Sequence, residues 1–528
     1  MISLTASHDL DQGKEVRGFL AACVPAIKNN LRLLTAFARQ AAYHADVLWN
    51  DSLFRARTAA LQAELDALEL SIARAAQESD PACDELAMLA GIAGLKLQDE
   101  VGMLIADAFG PYGLAQAPAE GGGPVVVGSP GQIEAPGAGT ISTFSARATP
   151  CKANEVELRA YVAATGHRKL GTIADSRPPE ADASLRSNIN RFAAAEYTTL
   201  KRAALLAANR DNWDRFAAMG WLGQGIPEEV GGHGGTLSAM MTVAERLGAG
   251  LAIEPYTGGI VYPSQVLQAL LDPPEAAKLL APAVAGQIRL AMACHEAAAR
   301  GGLRWTETRA TPDNDGFVLN GCKVTVDGGG MATAYLVSAR TSGEVYDPVG
   351  HSLFLVPRDA PGLKVQSWRM IDGSDMATIE LDGVRVSGEA LLGKSGGALA
   401  ALSAGMDAAI VASAFEVLGA MEAAIADTTL GHGYAEMKAA LEQARSAALM
   451  GLASLSQPDG RQRAYATSAT KAVVVQASNL VLGGASPSLG EQDASDDGRM
   501  EQFRNFVAAA NSHRGSLAFH LSRMAMLM

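Results

Sequence analysis

Five cysteines, Cys23, Cys83, Cys151, Cys294 and Cys322, are the chain's softest ligands and nucleophiles, and their placement limits what they can do. They lie far apart and form no C-x-x-C pair, so neither a zinc site nor a disulfide framework is expected, and a reducing, cytoplasmic setting fits best. His295 directly follows Cys294. A lone histidine reads first as a hydrogen-bonded core residue rather than as an acid or base. Three carboxylates punctuate an alanine-rich stretch: Asp407 reads as a helix-start or surface carboxylate, Glu416 and Glu422 as solvated helix faces. Gly483-Gly484 suits either a helix C-cap or a turn that lets the backbone approach another molecule.

The elements that must position these residues follow from composition and period. The 43 Lys+Arg against 56 Asp+Glu leave a net charge of −13 with no basic run, which excludes the electrostatic footprint of a nucleic-acid binder. With 48% hydrophobic and 19% charged residues the chain has ample core, and 528 residues suggest several folded units. The N-terminus has no basic region followed by an apolar block, and no membrane span is expected; Ala398 to Ser413 reads as a buried bundle helix.

From Lys14 to Arg74 the pattern is helical, with Leu61, Leu65, Leu68 and Ile72 on one face, and a second helix runs from about Asp84 to Phe109. Ala115 to Thr140 reads as a Gly/Pro-rich linker, and helical character returns at Asn154 to Ala164. Asn188 to Leu271 is helical around a glycine-rich loop at Gly225 to Gly235. From Ile288 to Leu392 the period falls to two: Phe317-Leu319, Ala334-Ser338, Ser352-Val356 and Thr378-Leu381 read as strands, with Asn320-Gly321 and Asp382-Gly383 as turns. Ala398 to Met528 is helical again, with an apolar stripe at Met437, Leu441, Ala444 and Ala448. The first block also looks like a partial internal repeat of the last: Thr58 to Leu65 opens a helix ahead of Lys96 as Tyr434 to Leu441 does ahead of Lys471.

Trp213, Phe216 to Gly223, Pro227-Glu228-Glu229, Gly231-Gly232, Glu245 to Gly248, Leu319 to Lys323, Val356 to Leu363, Val384-Arg385-Val386 and Leu391-Leu392-Gly393 occur in the order found in flavin-dependent acyl-CoA dehydrogenases, which the chain therefore resembles. The resemblance implies an α+β, mainly α fold of helical bundles around a small central β domain, plus an extra N-terminal helical block. It divides the chain into 1–114, a block similar to the family's C-terminal bundle; 115–140, a linker; 141–184, a degenerate tail segment; 185–285, an N-terminal helical domain; 286–393, a β middle domain; and 394–528, a C-terminal bundle. Lys28, Leu31, Leu34 and Asp51 to Arg57 resemble the large subunit of two-subunit members, with Phe144 to Thr149 and Asn154 to Val156 resembling its tail, whereas 185–528 resembles the small subunit.

The family reaction, as the resemblance implies, removes a proton beside a thioester carbonyl and passes a hydride from the next carbon to FAD. The substrate is an acyl-CoA, an electron-transfer flavoprotein is a possible electron acceptor, and homo- or hetero-oligomers are expected through the bundles. Flavin-contacting positions carry over to Cys294, His295, Thr325, Asp327, Gly483 and Gly484. A carboxylate at Asp327 would disfavour an anionic reduced flavin. The base position falls near Ala409, with Asp407 two residues earlier as the candidate, while residues 16 to 45 contain no Asp or Glu and Cys151 fills the alternative loop position. Two readings result: an FAD-dependent dehydrogenase, or a catalytically silent scaffold subunit of the same fold. The linker further suggests that 185–528 folds independently, and the Leu61 to Ile72 stripe is expected to be buried against the second bundle or its symmetry mate.

Overall fold

The computed structural model describes residues 6–43, 46–76, 81–109, 181–427, 433–484 and 497–528. The linker expected at 115–140 and the tail segment expected at 141–184 lie outside them, except residues 181–184, which begin a helix. The first block consists of helices α1 (Ala6–Ala38), α2 (Ser52–Ala76) and α3 (Pro81–Phe109). Its helical reading from Lys14 to Arg74 is corrected at residues 39–51, where a short antiparallel bridge, β1 (Ala42–Tyr43) with β2 (Asp46–Val47), turns the chain. The Asp51 side chain then accepts the Phe54 N–H at 2.7 Å, taking up a free amide at the start of α2.

Helix α2 has two apolar faces with different tasks. Leu61, Leu65 and Leu68 pack with Leu20, Ile27 and Leu34 of α1 and Leu97 and Leu104 of α3. The leucine stripe thus builds its own block rather than the seam expected for it, although Ala435 and Ala439 touch that core from the second bundle. The seam is made by small residues: Ala59, Ala63 and Ala67 meet Ala447, Ala469, Val473 and Met524. Alanines let helix axes approach where leucines would hold them apart.

The second unit begins with α4 (Ala181–Glu196), α5 (Thr199–Ala207), α6 (Trp213–Ala218), α7 (Leu237–Gly250), α8 (Tyr262–Leu270) and α9 (Pro273–Val284). Phe192 meets Phe216 and Trp221 edge to face at the centre of this layer, and those two rings are tilted against each other at 47°. An eight-stranded mixed sheet follows: β3 (Leu290–Ala293), β4 (Arg309–Asp313), β5 (Gly316–Asp327), β6 (Ala334–Arg340), β7 (His351–Pro357), β8 (Leu363–Arg369), β9 (Asp375–Ser387) and β10 (Leu391–Leu392). Its order is β10-β7-β6-β4-β5-β9-β8, with β3 parallel to β6.

Asn320-Gly321 and Asp382-Gly383 are not the ends of short strands. β5 and β9 run straight through them as long antiparallel partners whose register slips between Leu319 and Gly321. The Asn320 side chain accepts the Gly383 N–H at 2.8 Å across the irregularity, so residues with turn chemistry here form a bulge that bends the pair.

The chain ends in α10 (Leu399–Ala426), α11 (Tyr434–Ser454), α12 (Gly460–Gly484), α13 (Asp497–Ser512) and α14 (Leu517–Leu527). Among the described residues α10 alone is long and apolar enough to cross a membrane, and 83% of that window is buried inside the protein. α10 lies against α7 backbone to backbone: a Cβ on Gly248 would sit 2.0 Å from the Glu416 carbonyl oxygen, and one on Gly419 1.8 Å from that of Glu245. That crossing sets the height of Glu416 over the sheet. The expected independence of 185–528 meets a continuous seam, since α2 also engages α11 through Arg74–Glu442 at 3.0 Å and Ser71–Ser446 at 2.8 Å, all buried.

Candidate active site

Where the sheet faces the second bundle a cleft of about 420 Å³ opens. His295, two residues past β3, and Thr325 and Asp327, at the end of β5, form its sheet side. The opposite side is the turn between α13 and α14, with His513, Arg514 and Gly515. The structure therefore brings three of the positions read from sequence into one wall. Cys294 is not part of this wall: it is buried behind Tyr262, its Sγ 3.3 Å from that hydroxyl, and burial pushes its thiol pKa up. Gly483 stands in the last turn of α12 with nothing within 4 Å of an added Cβ, and Gly484 is the final residue of that helix.

Asp327 is held by Arg514, whose Nη2 donates to its Oδ2 at 2.6 Å. The carboxylate that reads as an obstacle to reduced-flavin charge is thus matched by a guanidinium. Room for it comes from Gly258, in a π-helical turn at Thr257–Val261; a Cβ there would lie 2.4 Å from the Asp327 carboxyl carbon.

His295 is anchored from below. Its carbonyl accepts the Val324 N–H at 2.9 Å, and the next residue, Glu296, is a hub. Glu296 accepts from the Glu307 N–H at 2.5 Å, the Thr308 N–H at 3.0 Å, the Thr308 hydroxyl at 2.6 Å and Lys323 Nζ at 2.6 Å. Lys323 is wholly buried and also donates to Ser338 at 3.1 Å. Burial alone would raise the Glu296 pKa, but the Lys323 ammonium and these donors hold it below the usual carboxylate value.

Asp407 does not line the cleft. It is 1% exposed and bound by Arg463 at 3.0 Å, Arg523 at 3.1 Å and the Thr467 hydroxyl at 3.0 Å. It is neither a surface nor a helix-start carboxylate; it ties α10 to α12 and α14. Glu416 also departs from the solvated face expected of it, whereas the Glu422 side chain stays 35% exposed. Glu422 pairs with Arg246, and Glu416 faces inward, its Oε1 accepting from the Thr257 hydroxyl at 2.7 Å.

Glu416 lines a second, smaller cavity of about 50 Å³, which shares the walls Asp327, His513 and Arg514 with the cleft. Burial pushes its pKa up to about 7, against the opposing pull of Arg514 and Thr257. Nearby Lys471 is buried and donates to the Ala510 carbonyl at 2.8 Å; burial and Arg514 bring its pKa down to about 7. His295 is lowered to about 4 by burial, then by Arg514 and Lys323, and His513 is lowered for the same leading reason. Both rings are therefore neutral near pH 7. His295 Nε2, His513 Nε2 and the Tyr256 hydroxyl are buried without a hydrogen-bond partner among the described residues. Sequence spacing gave no sign of Arg514, which reaches Asp327 across 187 positions. No cluster of His, Cys, Asp and Glu that could hold a metal occurs among the described residues.

Residues 179–269 match the acyl-CoA dehydrogenase N-terminal domain and residues 291–384 the acyl-CoA dehydrogenase middle domain. Acyl-CoA dehydrogenase FadE12 of Mycobacterium tuberculosis is 27% identical over 216 residues, covering 39% of this chain and 54% of that protein. The chain thus spans about half the length of that curated relative. A probable acyl-CoA dehydrogenase from Mycobacterium abscessus superposes with a TM-score of 0.59 at 21% identity, covering 66% of this chain and 98% of the other. The ChsE4-ChsE5 complex from Mycobacterium tuberculosis superposes with a TM-score of 0.53 at 20% identity, covering 67% of this chain and 98% of the matched one. At such identity these two structures speak for the fold alone. Within this α+β, mainly α architecture the chain thus carries two domains of the acyl-CoA dehydrogenase family, in that family's order.

Proposed function

We propose that the chain is an FAD-dependent acyl-CoA dehydrogenase that forms a double bond between the α- and β-carbons of an acyl-CoA thioester. The observation that carries this reading is that the cleft and the Glu416 cavity share walls: the positions expected to contact flavin stand beside a half-buried carboxylate held by one hydrogen bond, from Thr257. The residues fit a flat heteroaromatic ring. Two neutral imidazoles with unsatisfied Nε2 atoms can each offer an N–H or a lone pair to a ring edge, and the Asp327–Arg514 pair adds no net charge. His295, Thr325, His513 and Arg514 would hold it. When bound, FAD supplies the acceptor for the hydride that leaves the β-carbon.

The chain's own part is to accept the α-proton. Glu416, with a pKa of about 7, combines a substantial ionised fraction at neutral pH with enough basicity to take that proton. Asp407 is unsuited, being held by two guanidiniums and lying outside the cleft. Electrons would then leave to an electron-transfer flavoprotein, and the bundles would pair with a second chain or a related subunit.

The test is direct. Purified protein should carry flavin absorption that an acyl-CoA bleaches anaerobically, and Glu416→Gln should retain the flavin while losing at least ~10²-fold in bleaching rate, the scale of a lost general base. A colourless, folded protein would instead favour the silent scaffold, a reading that draws on the absence of Asp and Glu from Val16 to Ala38 of α1 and on the locked Asp407.

A further inference from the structure

The turn that carries Arg514 into the cleft is held from behind by a buried histidine. Arg514 has φ 59° and Gly515 φ 101°, so two successive residues stand in the left-handed region, which suits the glycine and strains the arginine. Such a backbone persists only where its surroundings hold it. His520, on α14, is wholly buried behind the cleft wall, and its Nε2 lies 3.0 Å from the Arg514 carbonyl oxygen. A carbonyl only accepts, so Nε2 carries the ring hydrogen, and Nδ1 is left to accept from the Ser468 hydroxyl of α12 at 3.1 Å. Burial, and after it Lys471, bring the His520 pKa down to about 3, so the ring stays neutral in this tautomer. Ser468 is met in turn by Arg523 Nη1 at 3.4 Å, while Arg523 Nη2 donates to Asp407 at 3.1 Å. The donors therefore point one way, from Arg523 through Ser468 and His520 to the backbone of Arg514, whose guanidinium ends on Asp327 in the cleft. Asp407, which lies outside the cleft, anchors the far end of this chain.

We propose that His520 is a positioning residue for the cleft: its bond to the Arg514 carbonyl fixes the left-handed turn and so keeps the guanidinium on Asp327. The inference rests on the dehydrogenase reading in one respect, that the ring meeting this pair is a flavin. With Arg514 in place, Asp327 adds no net charge beside the ring. With the turn released, the carboxylate stands uncompensated and disfavours the anionic reduced flavin.

Two measurements on the full-length protein test this role. The first needs no flavin: a urea-unfolding cycle of His520→Leu, Asp327→Asn and the double variant. The two residues bond to opposite ends of Arg514, its carbonyl and its guanidinium. A histidine that merely fills space gives additive effects, whereas one acting through Arg514 gives a coupling of about tenfold or more in the unfolding equilibrium constant. The second reads the midpoint potential of FAD bound to the protein. His520→Leu should weaken the hold on reduced relative to oxidised flavin about tenfold, or ~30 mV toward more negative potential for a two-electron couple. His520→Gln, whose amide can donate to the same carbonyl, should restore the wild-type value. If His520→Leu does not fold, Ser468→Ala, which removes only the Nδ1 partner, replaces it in both measurements. Additive effects in the cycle, an unchanged potential, or no recovery in His520→Gln overturns the inference and leaves the dehydrogenase reading intact. A wild-type protein that takes up no FAD overturns that reading, and the cycle alone then decides the role of His520.

Discussion

Lys323 and Glu296 form a buried ion pair under the cleft, and removing one partner tests how much of the site's rigidity depends on it. In Lys323→Met the carboxylate, 4% exposed, keeps three donors, from Glu307 and Thr308. Breaking a buried pair costs about 3–5 kcal/mol, and the surviving donors put this variant near the lower end, about 3 kcal/mol. Glu296→Gln leaves the ammonium with Ser338 and a neutral amide, so about 4–5 kcal/mol is expected on the same scale. The double variant has no buried charge left and should cost at least ~2 kcal/mol less than the sum of the two. Urea unfolding followed by circular dichroism supplies all four corners of this cycle.

The pair also has a pH signature. The folded-state pKa of Glu296 lies below its ordinary 4.5, so its contribution is complete above that pH and is lost as pH falls through the folded value. In Lys323→Met the carboxylate protonates more readily, and the stability gap to wild type should narrow below about pH 4.5. Additive single-variant costs, or a gap independent of pH from 3.5 to 7, would refute the assignment of stability to this pair.

Two further outcomes follow from the first block. Burial raises Glu64 to about 7, so the folded state binds the extra proton between its ordinary 4.5 and that value and stability falls as pH rises across the window; Glu64→Gln should therefore gain up to about 3 kcal/mol at pH 8 and match wild type at pH 4, as read by calorimetric melting. Leu65→Ala should cost about 2–5 kcal/mol and speed amide exchange in α1 and α3. Ala63→Leu should cost about 1–3 kcal/mol through overpacking and speed exchange in α14. The reverse pattern would mean the two faces of α2 have been assigned the wrong way round.

Strand composition and turn chemistry made the helix–sheet–helix order legible, because β6 and β7 are short, largely buried apolar runs between clear breaks and the Met437 to Ala448 stripe points inward. The same reasoning failed where one signal had two meanings. Asn320-Gly321 marks a hairpin in isolation but a bulge when both flanking strands continue. The break after Ala38 carries no glycine or proline to announce it. Glu416 and Asp407 were misread because α10 is apolar on every side, and a helix of that kind has no solvated face on which to place a carboxylate. His295, Thr325 and Asp327 came together in one wall, whereas Arg514, Lys471 and the Lys323–Glu296 pair depend on long-range packing that no local pattern encodes.

The seam along α2 has a consequence for how the two halves can change. Extending the Thr58–Leu65 and Tyr434–Leu441 alignment sets Arg74 against Met450 and Glu442 against Asp66. A pair of identical bundles would show each contact twice, once at either end of the axis. Here the ion pair Arg74–Glu442 occurs at one end, while at the other Asp66 takes the Tyr465 hydroxyl at 2.7 Å. The junction is therefore keyed like a lock with unequal wards: the first block fits one way round, and a second copy of the C-terminal bundle offers the wrong partners at both ends. Because both sides are encoded in one chain, their ratio is fixed at one to one and dilution does not part them. Arg74 meets both Glu442 and Ser446 of α11, so a change at Arg74 bears on the second bundle as much as on the first block.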